Sequence, residues 1–294
     1  MDTLENLDRK INGAGELKSV VRTMKAMAAS NIGQYEMAVN SLENYHYTIA
    51  LGIIAYFKEN GKDIVQEEKV TRNEDKPICA IVFGSDQGLV GQFNDSLSQF
   101  VLESLLDLTG KKEIWVVGER IQLLLSDAGF ETTKKFMLPN SVHAITLLVT
   151  KILLESEKSY EKQNTREFYI FHNQSITRTH YLPVMQRLLP LDKKWRDSFK
   201  EMHWPTKKIP QVLGGLETTL LALIREYLFV SLFKSCAESL ATENASRLSA
   251  MQRAEKNISE LLDTLHHKYH RLRQSSIDEE LFDVVSGFEA LKNK

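Results

Sequence analysis

The stretch GSDQGLVGQFN at 84–94 holds the residues of this 294-residue chain best placed to do chemistry. It follows the apolar run ICAIVF at 78–83, and a strand that leads through glycines into a helix often cradles a phosphate. The glycine spacing fits neither phosphate motif. Gly84, Gly88 and Gly91 are four and three residues apart, whereas the dinucleotide motif needs two and three, and the P-loop lysine is absent. The pattern therefore argues against a nucleotide site, and a dinucleotide-binding enzyme is kept as an alternative.

Other reactive residue types are also poorly placed for catalysis or metal binding. His266, His267 and His270 include an i, i+4 pair that could hold zinc, but no cysteine or carboxylate follows at zincin spacing. We interpret them as a solvated helix face. Cys79 and Cys236 are far apart and have no metal spacing, which indicates buried, reduced thiols. We expect no catalytic residue, no metal and no cofactor in this chain.

Composition excludes several further classes. The net charge of −2 is unlike the basic excess of a nucleic-acid binder. The N-terminus MDTLENLDRK is too acidic for a signal peptide. The most apolar segment, at 220–233, is interrupted by Arg225 and Glu226 and is too short to span a bilayer. We expect a soluble protein that reaches a membrane only through partners.

Proline placement divides the chain into three parts. All six prolines lie between residues 77 and 210, and proline ends or kinks helices. The segments before and after this region can therefore form long helices. We predict an N-terminal helix over 1–60, an α/β domain over 76–192, and a C-terminal helix over 211–294 that pairs with the first.

Both terminal segments carry a coiled-coil pattern. In the first, an apolar or small residue recurs every seven positions, which indicates a helical seam: Leu7, Ala14, Val21, Ala28, Tyr35, Leu42, Ile49 and Tyr56. The second seam position holds Lys18, Lys25 and His46 among apolar residues. In the last segment a similar seam runs from Leu248 to Leu272 and then slips by one residue. Two helices at opposite ends of one chain can pair only antiparallel, and we predict such a pair.

The middle of the chain alternates strand and helix patterns. ICAIVF at 78–83 and EIWVVG at 113–118 have the continuous apolar character of buried strands, and 94–108, 119–130 and 141–163 have helical patterns. Further strand material lies at 167–174 and 179–191. This alternation predicts an α/β sheet with crossover helices.

Three segments carry a resemblance to a known family. They are LKSVVRTMKAMAAS at 17–30, SDQGLVGQFN at 85–94, and the end of the chain from ATENASRLSAMQ at 241 to RLRQSSIDEELFDVVSGFEAL at 271–291. Together they resemble the gamma subunit of the rotary F-type ATP synthase, over nearly the whole chain. The resemblance implies a long antiparallel two-helix coiled coil with a Rossmann-like α/β domain between its arms. It also implies a central-stalk rotor that couples ion translocation to the catalytic beta subunits by rotating inside the alpha–beta ring.

The resemblance also implies partners and contact residues. The partners would be the alpha, beta and epsilon subunits and the membrane ring of c subunits, on the cytoplasmic side of the inner (plasma) membrane, with the chain itself non-catalytic. Contacts with beta would involve Met24 and Lys25, Asp86 and Gln87, and Arg273, Gln274 and Ser275, with Met24 and Lys25 facing the last three from the other helix. The shaft tip would turn in its bearing on Leu281, Val284, Val285, Phe288 and Leu291.

Some positions depart from the family pattern. Gln87 stands where the family has an arginine, and Gln92 and Phe93 replace smaller residues. Ile277-Asp278 stands where the family has Ile-Thr. These changes suggest a divergent member, such as the rotor of an alternative (N-type) ATPase, with a weaker contact at residue 87. A static coiled-coil scaffold is the second alternative, and it predicts self-association through the seams.

Overall fold

The computed structural model describes residues 3–60, 77–163, 165, 167–177, 180–191, 204, 206–208 and 215–292. The chain forms two compact units. We call Met1–Ala28 with Leu248–Lys294 the helical unit, and Ala29–Arg247 the sheet unit. The helices are α1 (Leu4–Asn60), α2 (Phe93–Leu106), α3 (Glu119–Asp127), α4 (Val142–Gln163) and α5 (Leu216–Lys292).

A five-stranded sheet organises the sheet unit. Its strands are β1 (Ile78–Phe83), β2 (Lys112–Val117), β3 (Thr132–Phe136), β4 (Glu167–Thr177) and β5 (His180–Leu189), in the order β3-β2-β1-β4-β5. The first four are parallel, and β5 returns antiparallel beside β4. Pro183 lies in β5, where an outer strand tolerates a residue that has no N–H to donate. The predicted α/β architecture is confirmed.

Both faces of the sheet are covered. Ala80, Val82 and Val116 pack against α2 and α3, and Ile81, Phe83 and Trp115 pack against α4 and the long helices. All six residues of β1 are buried. Because neither face of this strand meets water, its sequence is continuously apolar rather than alternating.

Strand β3 is the element that the sequence analysis missed. Its sequence, TTKKF, is short and polar, and only Phe136 is buried. Lysines on an outer strand reduce unwanted pairing with other chains. Here Lys134 is paired with Glu155 and Lys135 with Glu119, while the pairing with β2 and the buried Phe136 hold the strand in the sheet.

The seven-residue repeat of α1 is confirmed in each unit. In the helical unit Leu7, Ala14 and Ala28 are buried, and in the sheet unit Tyr35 and Tyr56 are buried. Within the sheet unit Asn31 contacts Asn244 and Tyr45 contacts Glu226. Residues of increasing number along α1 thus contact residues of decreasing number along α5, so the two helices are antiparallel within this unit.

Candidate partner-contact surfaces

The loop at 84–92, between β1 and α2, is held by a buried pair of polar side chains. The Ser85 backbone N–H donates to Asn94 Oδ1 at 3.0 Å, and Asn94 Nδ2 donates to Ser85 Oγ at 2.8 Å. Ser85 Oγ in turn donates to the carbonyl of Gln87 at 2.8 Å. Both side chains are buried. A fully satisfied buried network of this kind rigidifies the backbone around it.

Two glycines let this loop pack against the start of α3. A Cβ on Gly84 would lie 2.4 Å from Cβ of Ile121, and one on Gly118 would lie 2.7 Å from the carbonyl oxygen of Ser85. Gly118 also has a φ of 111°, which side-chain-bearing residues rarely adopt. The Arg120 N–H donates to that same Ser85 carbonyl at 2.9 Å. These glycines permit close packing between the loop and the start of α3.

The phosphate-cradle interpretation finds no support at this edge of the sheet. Doubly wound sheets bind ligands beyond the carboxyl ends of the strands, where the strand order reverses, which here is between β1 and β4. Ser239 of α5 donates to the Phe83 carbonyl at 2.9 Å, and Asn173 of β4 donates to the Phe93 carbonyl at 2.9 Å. The last carbonyl of β1 is therefore hydrogen-bonded to a side chain of α5.

Asp86 and Gln87 are exposed on the outside of this loop. Asp86 Oδ1 accepts a hydrogen bond at 3.0 Å from the backbone N–H of Glu119. It thereby satisfies one of the free N–H groups at the start of α3. Leu89, which the sequence analysis did not single out, is also exposed.

A buried carboxyl group lies behind the loop. Glu243 of α5 is almost fully buried and pairs with Arg247 at 2.9 Å. Burial raises the pKa of Glu243 to about 7, an effect that Arg247 opposes and the charge of Asp86 reinforces. Sequence patterning could not reveal this group, because Glu243 is one of many charged residues on a long helix.

In the helical unit, Met24 and Lys25 are half-buried on α1. Lys25 Nζ lies 2.5 Å from Glu255 Oε2. Arg273 lies 18 residues further along α5, or about 27 Å at 1.5 Å per residue. The expectation that Met24 and Lys25 face the segment 273–275 is therefore wrong, because the helix register places Lys25 against Glu255.

The end of α5 presents an unusual surface. Arg273, Gln274 and Ser275 are exposed. Beyond them, large apolar side chains are between 46% and 72% exposed: Leu281, Phe282, Val284, Val285 and Phe288. Leu291 lies in α5 but outside the residues whose side chains are described.

Metal-binding and membrane-spanning features are the last candidates in the described part of the chain. No group of three or more His, Cys, Asp or Glu side chains there is arranged to hold a metal ion. His266, His267 and His270 are exposed. None of the described helices combines the length and the apolar character needed to cross a bilayer.

Comparison with known proteins gives one consistent result. A family model described as ATP synthase matches residues 3–291. The ATP synthase gamma chain of Syntrophus aciditrophicus is 28% identical, over 99% of both chains. That of Buchnera aphidicola is 25% identical, over 99% of both.

Solved structures share the fold. The rotor of the Euglena gracilis mitochondrial ATP synthase covers 93% of this chain and 98% of its own, with a TM-score of 0.66 at 12% identity. A central-stalk and c-ring structure from Tetrahymena thermophila covers 80% and 99%, with a TM-score of 0.57 at 21% identity. A covered sheet between two long terminal helices is thus the architecture of rotary central stalks. The chain belongs to the ATP synthase gamma family, and the predicted central-stalk rotor function is confirmed.

Proposed function

We propose that this chain performs no chemistry itself and acts by turning inside a ring of alpha and beta subunits. Its rotation would force the catalytic beta subunits through their conformations in turn, and so couple ATP chemistry to ion translocation. The hydrogen bonds that Ser239 and Asn173 make near the β1–β4 edge, where a doubly wound sheet usually holds its ligand, support this non-catalytic role.

The exposed apolar end of α5 carries the proposal. Between 281 and 288 the helix has one charged residue, Asp283, among exposed Leu, Phe and Val side chains. Apolar surface of this extent normally marks a protein contact. Few charged groups are available for strong directional pairing, so the tip can be enclosed by an apolar sleeve and still turn in it.

Directional contacts are available just before the tip. Arg273 and Gln274 are exposed, and a guanidinium binds a carboxylate through strong, paired hydrogen bonds. We propose that Arg273, Gln274 and Ser275 contact acidic loops of beta. Asp86 and Gln87 form a second contact with beta. This contact is weaker than in the family pattern, because Gln87 stands in place of an arginine. Met24, half-buried beside Lys25, is the proposed beta contact on α1, whereas Lys25 is held by Glu255.

The remaining partners lie toward the membrane. The epsilon subunit and the ring of c subunits would bind the sheet unit on the cytoplasmic side of the membrane, as peripheral contacts. The divergent sequence, 28% identical or less to the gamma chains compared, is compatible with an alternative (N-type) ATPase.

Co-expression with candidate alpha and beta subunits tests the proposal. We expect one copy of the chain per three alpha–beta pairs, measured by native mass spectrometry. ATPase activity of the complex should change with Gln274→Leu or with deletion of 275–294. Gln252→Leu, at an exposed position on the same helix, is the matched control and should leave activity unchanged. Failure of the wild-type chain to co-purify would contradict the rotor function, and self-association alone would favour a scaffold.

A further inference from the structure

Serines of α5 use their hydroxyl groups in two different ways. Ser231 Oγ donates a hydrogen bond to the carbonyl of Tyr227, one turn back in the same helix, at 2.8 Å. This bond is a common choice for a helical serine, because the carbonyl four residues back lies within reach of the hydroxyl. Ser239 and Ser246 instead donate to carbonyls of other elements. These two serines therefore connect α5 to its surroundings.

Both connections reach the region where β1 ends. Ser239 Oγ donates at 2.9 Å to the carbonyl of Phe83, the last residue of β1. Ser246 Oγ donates at 2.5 Å to the carbonyl of Val90, in the loop at 84–92. Two residues seven positions apart lie on nearly the same face of a helix, about 10.5 Å apart along its axis. Two bonds at different heights hold α5 more firmly than one, since a single bond would act as a pivot.

A third connection comes from the neighbouring strand. Glu238 precedes Ser239 on α5, and its Oε2 lies 3.0 Å from Nε2 of His172. The same oxygen accepts a hydrogen bond from Gln174 Nε2 at 3.3 Å. Both partners belong to β4, which lies beside β1 in the sheet. Adjacent residues point about 100° apart around a helix axis. The bonds to β1 and to β4 thus act on different sides of α5, and turning the helix about its axis in either direction lengthens one of them.

These polar contacts lie where α5 packs on the sheet. Ser239 and His172 are buried, and the side chain of Glu238 is 15% exposed. Leu232 and Leu240 of α5 belong to the same apolar core as the inner face of the sheet. Apolar contact has no preferred direction, whereas a hydrogen bond weakens steeply as its angle departs from linear. The apolar side chains therefore keep α5 on the sheet, and the hydrogen bonds set the rotation at which it is held.

We propose that Glu238, Ser239 and Ser246 are positioning residues that fix the rotation of α5 about its own axis. We call these three residues the polar clamp. The proposal rests on the rotor function above and deepens it, because a rotor must pass torque between its sheet and its shaft. Beyond Arg247 the same helix continues into the helical unit. Any slack between α5 and the sheet would absorb part of each rotation step before the partner subunits moved.

The angular fluctuation of a single rotor measures this slack. In the complex with alpha and beta, fixed to a surface through the ring, a bead can be attached at Lys111→Cys, an exposed position just before β2. The two natural cysteines are buried and should not react. Ser239→Ala combined with Ser246→Ala removes two of the four bonds that the clamp makes. Because directional bonds that act side by side add their stiffness, the variance of the bead angle during a pause should rise up to about twofold. Ser246→Ala alone should give a smaller rise.

Ser231→Ala separates a clamp from a merely structural role. It removes a buried hydroxyl of the same helix whose bond stays within that helix. Its thermal unfolding midpoint should fall about as much as that of Ser239→Ala, but the variance of the bead angle should stay at the wild-type value. Ser246→Thr keeps a hydroxyl and should also give the wild-type variance.

Two results would overturn the clamp while leaving the rotor function intact. One is a wild-type variance in both Ser246→Ala and the double variant. The other is an equal rise in variance with Ser231→Ala. If the wild-type chain does not assemble with alpha and beta, or does not turn when ATP is supplied, the rotor function itself is contradicted.

Discussion

Lys25 Nζ lies 2.5 Å from Glu255 Oε2, and Arg22 Nε lies 2.8 Å from the other oxygen of the same carboxylate. One acidic side chain of α5 thus binds two cations of α1. Lys25 occupies a seam position of the seven-residue repeat, where an apolar residue is usual. A polar group in a seam specifies the register of two helices at some cost in stability. We infer that this cluster sets the pairing of α1 and α5 in the helical unit.

The first prediction concerns the pH dependence of this cluster. Hydrogen bonds from Lys25 and Arg22 lower the pKa of Glu255 to about 2. A carboxyl group with a lowered pKa stabilises the fold above its unfolded pKa, and the effect is lost as pH falls through the folded value. We expect Glu255→Gln to lower the urea midpoint at pH 7. The difference in urea midpoint between Glu255→Gln and wild type should shrink between about pH 5 and pH 2, because the stabilising charge of Glu255 is lost there.

Two variants serve as controls for that measurement. Glu260→Gln, on an exposed part of the same helix, should show no comparable pH dependence. Exchanging the charges in Lys25→Glu with Glu255→Lys should recover part of the stability lost in either single variant. A deficit that stays constant between pH 7 and pH 2.5 would contradict the role of this ion pair.

The second prediction concerns Glu243. Its pKa is raised to about 7, chiefly by burial, and the groups around it are Arg247, Asp86, Tyr35 and Cys236. A raised carboxyl pKa destabilises the fold as pH rises from the unfolded value through the folded value. We therefore expect the unfolding free energy of Glu243→Gln, relative to wild type, to increase from pH 5 to pH 8. The change should be on the order of 2 kcal/mol.

Denaturant unfolding at several pH values gives this difference directly. Glu103→Gln, an exposed glutamate of α2, is the matched control and should show no such trend. The trend of this free-energy difference with pH is the informative quantity, because Glu243→Gln also removes the partner of Arg247 and so changes stability at every pH. A difference that falls from pH 5 to pH 8 would rule out the proposed cause.

The third prediction contrasts two glycines of one loop. A Cβ on Gly84 would lie 2.4 Å from Cβ of the buried Ile121, whereas Gly88 has open space around it. We expect Gly84→Ala to destabilise the chain by about 2–3 kcal/mol through overpacking. Gly88→Ala should change stability by less than about 1 kcal/mol.

Ile121, whose Cβ would clash with the added methyl group of Gly84→Ala, permits a further check. Adding Ile121→Ala to Gly84→Ala should not restore stability, because alanine keeps the Cβ that is in the way. Thermal unfolding of these three variants, compared with wild type, measures all of these effects. Equal stability of Gly84→Ala and Gly88→Ala would show that the loop and α3 are not as tightly packed as described.

The fourth prediction is that the isolated chain does not bind nucleotides. Ser239 and Asn173 donate hydrogen bonds to the carbonyls of Phe83 and Phe93, near the edge where a doubly wound sheet would hold a ligand. Isothermal titration with magnesium-ATP or NAD should give no heat of binding at millimolar concentration. Submillimolar affinity for either nucleotide would revive the dinucleotide-binding enzyme.

The sequence by itself determined the long helices and the buried strands. The repeat from Leu7 to Tyr56 predicted which side of α1 is buried, because a side chain every seven residues returns to the same face of a helix. ICAIVF predicted a strand buried on both faces. Strand β3 escaped detection because its lysines are paired with glutamates distant in sequence, and no local pattern reports such pairs.

Only the tertiary structure decided which groups meet. From its sequence, the loop GSDQGLVGQFN could hold a phosphate or pack against another element, and the structure shows Gly84 packed against Ile121 of α3. From the sequence alone Lys25 could contact a partner subunit, whereas in the structure the helix register places Glu255 beside it. Residues 230 positions apart were brought together here. Periodicity fixes the face on which a side chain lies, whereas the contacts across that face depend on how distant elements pack.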